Sequence, residues 1–166
     1  SGTEGAETIT LNSTGSANSI TLDDDTATDL TTLTITGDQN LTLVTTPTTI
    51  TTIDASALTG ALTHTVTNTA AVTVTGGAGN DAITAEATGS SDNINAGAGD
   101  DTVTFTATLA TTDTVNGGDG TDTLATTSVL MTGYTKPATA TISNFETLSV
   151  TDALAGGLTA ANVQTG

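Results

Sequence analysis

The chain has no cysteine, no tryptophan and no arginine, and Lys136 is its only Lys or Arg. The missing cysteines exclude disulfides, zinc thiolates and thiol nucleophiles. One lysine against 18 acidic residues leaves a formal net charge of −17. Nothing in such a chain neutralises phosphates, which excludes DNA and RNA as partners, and anionic membrane surfaces fall with them. Aromatics are few, Phe105, Tyr134 and Phe145, and His64 is the single histidine. No segment approaches the roughly 18–20 continuous apolar residues of a membrane span. No signal-peptide pattern stands at the N-terminus, and a chain opening on Ser1 is read as a segment of a longer protein. The natural counter-charge is a cation, and carboxylates with backbone carbonyls favour hard ions such as Ca²⁺. A secreted chain without cysteine needs some other staple, and a metal would serve.

High acidity with few aromatics is also a composition of disorder, but the patterning opposes it. Thr alternates with Val, Ile and Leu in runs of five to seven residues, such as Glu7 to Leu11, Thr32 to Gly37 and Ala71 to Gly77. This is strand patterning, and no stretch sustains a helical period. The apolar anchors form two interleaved series, Leu11, Leu33, Ile53, Val74, Ile94, Val115 and Ile20, Leu41, Leu62, Ile83, Val103, Leu124. Both advance by about twenty or twenty-one residues, which predicts two strands per coil. Such coils stack in parallel around a narrow aliphatic core, with Thr facing outward. The predicted fold is an all-β parallel β-solenoid, continuous over residues 1–125. Residues 126–141, with the only Lys and the only Tyr, read as a loop or lateral insertion. Residues 142–166 read as a terminal coil and cap of the same domain, because Phe145-Glu146-Thr147-Leu148 echoes Leu30-Thr31-Thr32-Leu33 and Ile50-Thr51-Thr52-Ile53.

Three nonapeptides lie within the solenoid: GGAGNDAIT from Gly76, AGAGDDTVT from Ala96 and GGDGTDTLA from Gly117. Their glycines permit positive φ and let backbone approach an ion closely. Each turn aims carbonyl oxygens at one point, and the Asp at position six adds a charged oxygen. Calcium takes six to eight oxygens at about 2.3–2.6 Å. One turn cannot supply them, so stacked turns share an ion. Two degenerate copies alternate with the good ones: Ala87 to Asn95 keeps Asp92 and Ile94, and Thr108 to Asn116 keeps Asp113 and Val115. With two strands per coil, the good turns stack on one edge and the poor ones on the other. The extra residues Ala85-Glu86 and Phe105-Thr106-Ala107 fall on the poor edge.

The nonapeptides resemble the calcium-binding RTX repeat, G-G-x-G-x-D-x-U-x, departing only where Ala96 replaces the first glycine. The resemblance implies a right-handed parallel β-roll with at least two Ca²⁺, one between the Gly76 and Ala96 turns and one between the Ala96 and Gly117 turns. Asp81, Asp101 and Asp122 are the implied carboxylate ligands, with carbonyls of the first four positions beside them. The implied metal-binding residues are Gly76, Gly77, Ala78, Gly79, Asn80 and Asp81; Ala96, Gly97, Ala98, Gly99, Asp100 and Asp101; and Gly117, Gly118, Asp119, Gly120 and Asp122. Asp92 and Asp113 are weaker candidates. The longer Thr-rich coils, with ITTIDASALTG from Ile50 and ISNFETLSV from Ile142, resemble calcium-binding surface-layer proteins of Gram-negative bacteria, which use one-step secretion. This implies a non-enzymatic structural module, secreted to the extracellular space or cell surface, that folds on calcium binding. Its expected partners are calcium, neighbouring copies and other surface-layer or cell-surface components, without membrane insertion. A calcium-binding module of a large secreted RTX adhesin and the non-catalytic roll of an RTX exoenzyme remain alternatives.

His64 alternates with Leu62 and Val66, so it points inward or toward a corner; with no organised Asp partner it reads as structural rather than catalytic. Asp23, Asp24, Asp25 and Asp29 read as a solvated loop, and Asp38 as a turn residue. Ice binding by Thr-x-Thr pairs such as Thr34/Thr36, Thr63/Thr65 and Thr73/Thr75 needs them on one face in every coil, and the coils from Ala85 onward lack a matching series.

Overall fold

The computed structural model describes residues 7–22, 30–85, 91–106, 112–127 and 141–152. The Asp23 to Asp29 cluster, most of the 126–141 insertion, the tail after Asp152 and part of both poor-edge connections lie outside these residues.

Strands alternate strictly between two parallel sheets of seven strands each. The first holds β1 (Thr8–Ser13), β3 (Thr32–Gly37), β5 (Thr52–Leu58), β7 (Thr73–Thr75), β9 (Asn93–Asn95), β11 (Thr114–Asn116) and β13 (Thr141–Ser143). The second holds β2 (Asn18–Thr21), β4 (Leu41–Thr45), β6 (Leu62–Val66), β8 (Ala82–Ala85), β10 (Thr102–Phe105), β12 (Thr123–Thr126) and β14 (Thr147–Val150). Every pairing is between one coil and the next, and every pairing is parallel. The chain is therefore a β-solenoid with two strands per coil, and no helix occurs among the described residues.

Alternation places one face of each strand inside. In the first sheet the register stacks Ile9, Leu33, Ile53, Val74, Ile94, Val115 and Ile142. In the second it stacks Ile20, Leu43, His64, Ile83, Val103, Leu124 and Leu148. Most of these side chains are fully buried. Outward positions of the first sheet carry small polar groups, Thr73 and Thr75, then Asn93 and Asn95, then Thr114 and Asn116, so the Thr-x-Thr pair of β7 is not repeated on that sheet in β9 or β11.

The structure moves three of the sequence anchors. Leu11 pairs with Ile35, so Ile9 is the partner of Leu33. Leu41 and Leu62 pair with each other in a second column, two residues before the Leu43–His64 pair. The early strands are long enough to present two inward residues. A slip of two keeps the same face inward, so apolar alternation alone does not separate the two registers. Between β3 and β5 the register also shifts at Thr34/Thr36. There the Ser56 N–H donates to Asp54 Oδ1 (3.0 Å), which closes the extra residue locally.

Candidate metal centre

The three nonapeptide turns join β7 to β8, β9 to β10 and β11 to β12, all on one edge. The Asp92 and Asp113 turns join β8 to β9 and β10 to β11, on the opposite edge. The structure therefore brings Asp81, Asp101 and Asp122 into one column and places Asp92 and Asp113 in another.

Each column is a ladder of carboxylates accepting backbone N–H groups from the preceding coil. Asp81 Oδ1 accepts from Leu62 (2.7 Å), Asp101 Oδ1 from Asp81 (2.7 Å) and Asp122 Oδ1 from Asp101 (2.8 Å). On the far edge Asp92 Oδ1 accepts from Val72 (2.9 Å) and Asp113 Oδ1 from Asp92 (3.0 Å). Position five of the good turns works in the opposite sense. Asn80 Oδ1 accepts from the Asp100 N–H (3.1 Å) and Asp100 Oδ1 from Thr121 (2.9 Å), both on the following coil. Adjacent side chains thus reach backward and forward, and each good turn is tied to both neighbours.

The turns also pair through backbone, with Ala98 N–H donating to Gly77 O (2.9 Å) and Asp119 N–H to Gly97 O (2.9 Å). That approach explains the small residues. A Cβ on Gly97 would strike Gly77 O, and one on Gly118 would strike Gly97 O. Both glycines also adopt left-handed φ, +111° and +106°, a region that L side chains seldom enter.

The second carboxylate oxygens divide the turns into two kinds. In the first turn Asp81 Oδ2 accepts the N–H of Gly77 (2.8 Å), and Gly77 is not left-handed. In the next two turns the corresponding glycines are left-handed, and Asp101 Oδ2 and Asp122 Oδ2 have no hydrogen-bond partner. Asp101 is 1% exposed and Asp122 is fully buried. Burial pushes the Asp101 carboxyl up to about 6, with the charges of Asp81, Asp122 and Asp100 adding to it. Burial raises Asp81 as well, against the hydrogen bonds from Leu62 and Gly77. It also raises Asp122, assisted by the charges of Glu146, Asp100 and Asp119. Buried carboxylates with unmet oxygens are costly as anions unless a cation or proton compensates them.

A hard divalent cation fits this donor set: buried carboxylate oxygens without partners, beside glycine-rich backbone. Among the described residues no three His, Cys, Asp or Glu side chains converge on one point. The buried carboxylates of the column, Asp81, Asp101 and Asp122, come one per coil, so such an ion would draw most of its oxygens from backbone carbonyls.

Sequence reading did not include Glu146. Its Oε2 accepts the Asp122 N–H (2.7 Å), the same role that Asp122 and Asp101 play one coil earlier. The signal is the triplet of carboxylate, Thr and apolar residue: Asp101-Thr102-Val103, Asp122-Thr123-Leu124, Glu146-Thr147-Leu148. The likeness of that segment to Leu30 to Leu33 conceals it. His64 is 2% exposed in the core column, its Nδ1 without a partner, and burial holds its pKa below the usual value. Among the described residues no carboxylate hydrogen-bonds to it, and its burial places it as a core residue.

Comparison of the chain with protein-family models, with curated proteins and with solved structures finds no match in any of the three.

Proposed function

We propose that this chain is a calcium-dependent structural module of a secreted protein, part of a bacterial surface layer or comparable extracellular scaffold. The observation carrying the proposal is the pair of buried, unpartnered oxygens, Asp101 Oδ2 and Asp122 Oδ2, in a chain of net charge −17. The RTX-like motif supports calcium over other cations, and the repetitive architecture supports a mechanical role.

Three features of the chain make the stability of its fold depend on a cation. Its 18 acidic residues face one lysine, and self-repulsion disfavours compact states. The downstream core is one or two aliphatic residues wide per strand, so apolar burial gives little margin over chain entropy. The turn carboxylates are aligned only once successive coils have stacked. Bound Ca²⁺ supplies positive charge to those carboxylates and stabilises the folded state by mass action. Extracellular modules bind calcium at about 10⁻⁴–10⁻³ M, a level met outside cells and not in cytosol.

Circular dichroism of the chain in chelator and then in millimolar calcium tests this. A gain in β signal and a melt shifted to higher temperature with calcium is the expected result. A spectrum and melt unchanged by chelator, in protein shown by elemental analysis to hold no ion, would overturn it.

A further inference from the structure

The motif alone assigns cations to the two gaps between the three nonapeptide turns. Taking the column to be a cation site, we propose that it is displaced by one coil. It begins at Asp101, ends at Glu146 beyond the nonapeptides, and excludes Asp81, which is a hydrogen-bonded cap.

At the start of the column, Asp81 already uses both oxygens, Oδ1 for Leu62 and Oδ2 for Gly77. Its turn is closed on itself, and a cation there would have to displace a backbone N–H. Asp101 and Asp122 use Oδ1 alone, and each keeps a buried Oδ2 without a partner. The left-handed φ of Gly97 and Gly118 separates these turns from the first. The sequence motif is the same at Gly77, so the difference comes from position in the stack. The first turn sits on an apolar corner, where a Cβ at Gly77 would meet Leu58 O, while the others sit on another glycine turn.

At the far end, the turn from β13 to β14 continues the stack. A Cβ on Gly76 would strike the Ala96 carbonyl oxygen, and a Cβ on Gly117 would strike that of Asn144. Asn144 thus presents a carbonyl over the third turn as Ala96 does over the first. Asn144 is also the one non-glycine residue with positive φ (56°) among the described residues. This connection spans only Asn144, Phe145 and Glu146, against the six residues Gly76 to Asp81. The extra methylene of Glu over Asp lets the carboxylate of the shorter turn reach the Asp122 N–H. Glu146 spends only Oε2 there, leaving Oε1 available beside the Asp122 turn. Asp122, Asn144 and Glu146 together supply two carboxylates and a carbonyl to a cation of the Ca²⁺ class.

The test is a calorimetric titration of the full chain with calcium chloride, with bound ions counted by elemental analysis. Asp81→Asn should keep the wild-type ion count and affinity. Asp101→Asn and Asp122→Asn should each lose bound calcium. Glu146→Gln should weaken one site by at least about tenfold, the scale of a lost metal contact. Glu146→Asp keeps the charge and shortens the reach by one methylene, so it should weaken the same site even where the Gln variant does not fold. Loss of an ion in Asp81→Asn, or unchanged binding in both Glu146 variants, would overturn the displaced column while leaving a calcium module intact. A wild-type chain that binds no calcium would overturn the functional reading and this inference with it.

Discussion

The upstream coils, β3 to β6, and the downstream coils, β7 to β12, share one fold and solve the same corner differently. One register runs through Leu41, Leu62, Asp81, Asp101, Asp122 and Glu146. Upstream, the corner is aliphatic and the Leu41 N–H donates to a backbone carbonyl, Ala61 O (2.8 Å). Downstream, a carboxylate oxygen takes the place of that carbonyl. The far edge changes in the same way, from Val72 to Asp92 and Asp113. Both solutions satisfy the backbone, which is why the coil geometry survives the exchange. They differ in what they require from solution. The aliphatic corner is self-sufficient, whereas the carboxylate corner concentrates buried negative charge.

The sharpest way to break this comparison is Leu62→Ala. Leu62 is fully buried, so the loss should cost about 2–5 kcal/mol. Thermal melts should show the same cost with and without calcium. A loss that calcium reverses would mean that the two halves are not separable. The next largest effect is calcium withdrawal, worth about 2.7 kcal/mol at a hundredfold excess over Kd, or roughly 5–10 °C in Tm for a chain of this size. Hydrogen exchange should localise that loss to amides of β9 to β14 and leave β3 to β5 protected. Uniform loss of protection would contradict the division.

Acidity sharpens the contrast further. The carboxyls of Asp101, Asp81 and Asp122 are raised in the folded chain, so the folded state binds more protons than the unfolded one between about pH 6 and pH 4. In chelator, stability should therefore rise as pH falls through that window, and melts at pH 7 and pH 5 measure it. In saturating calcium the slope should reverse, because protons compete with the ion. His64 acts against the first trend, since its depressed pKa means stability lost as pH falls below about 6.5. His64→Leu should be the smallest effect, a gain of about 1 kcal/mol from removing an unpartnered ring nitrogen. It should also steepen the acid stabilisation seen in chelator.

Much of this was legible in the residues. The repeat of twenty or twenty-one residues, the alternation of Thr with aliphatics and the alternation of good and poor turns place every downstream strand and separate the two edges. Less legible were features in which different residues serve one physical role. Leu62 and Asp81 occupy one register position, and no hydrophobicity pattern equates them. His64 was legible as an inward residue from its alternation with Leu62 and Val66, but its polarity left Leu62 as the anchor of that coil, whereas His64 itself lies between Leu43 and Ile83 in the core column. Glu146 extends the carboxylate ladder from a turn too short to carry the nonapeptide. The first turn differs from the next two only because of the coil beneath it, which is information outside the motif.

The parallel pairing has a mechanical consequence. All inter-coil hydrogen bonds run along the solenoid axis, and each coil contacts only its neighbours. A pull on the two ends of the stack therefore loads one interface at a time and unzips the molecule from a terminus, rather than shearing whole sheets. Each coil of twenty or twenty-one residues would release roughly 70 Å of chain at full extension. The connection from β12 to β13 is longer and would release more. The force needed for each step would follow the corner chemistry, independent of calcium in the upstream coils and set by it downstream. The stack would thus behave as an extensible tether whose stiffness is graded along its length by the ion content of its surroundings.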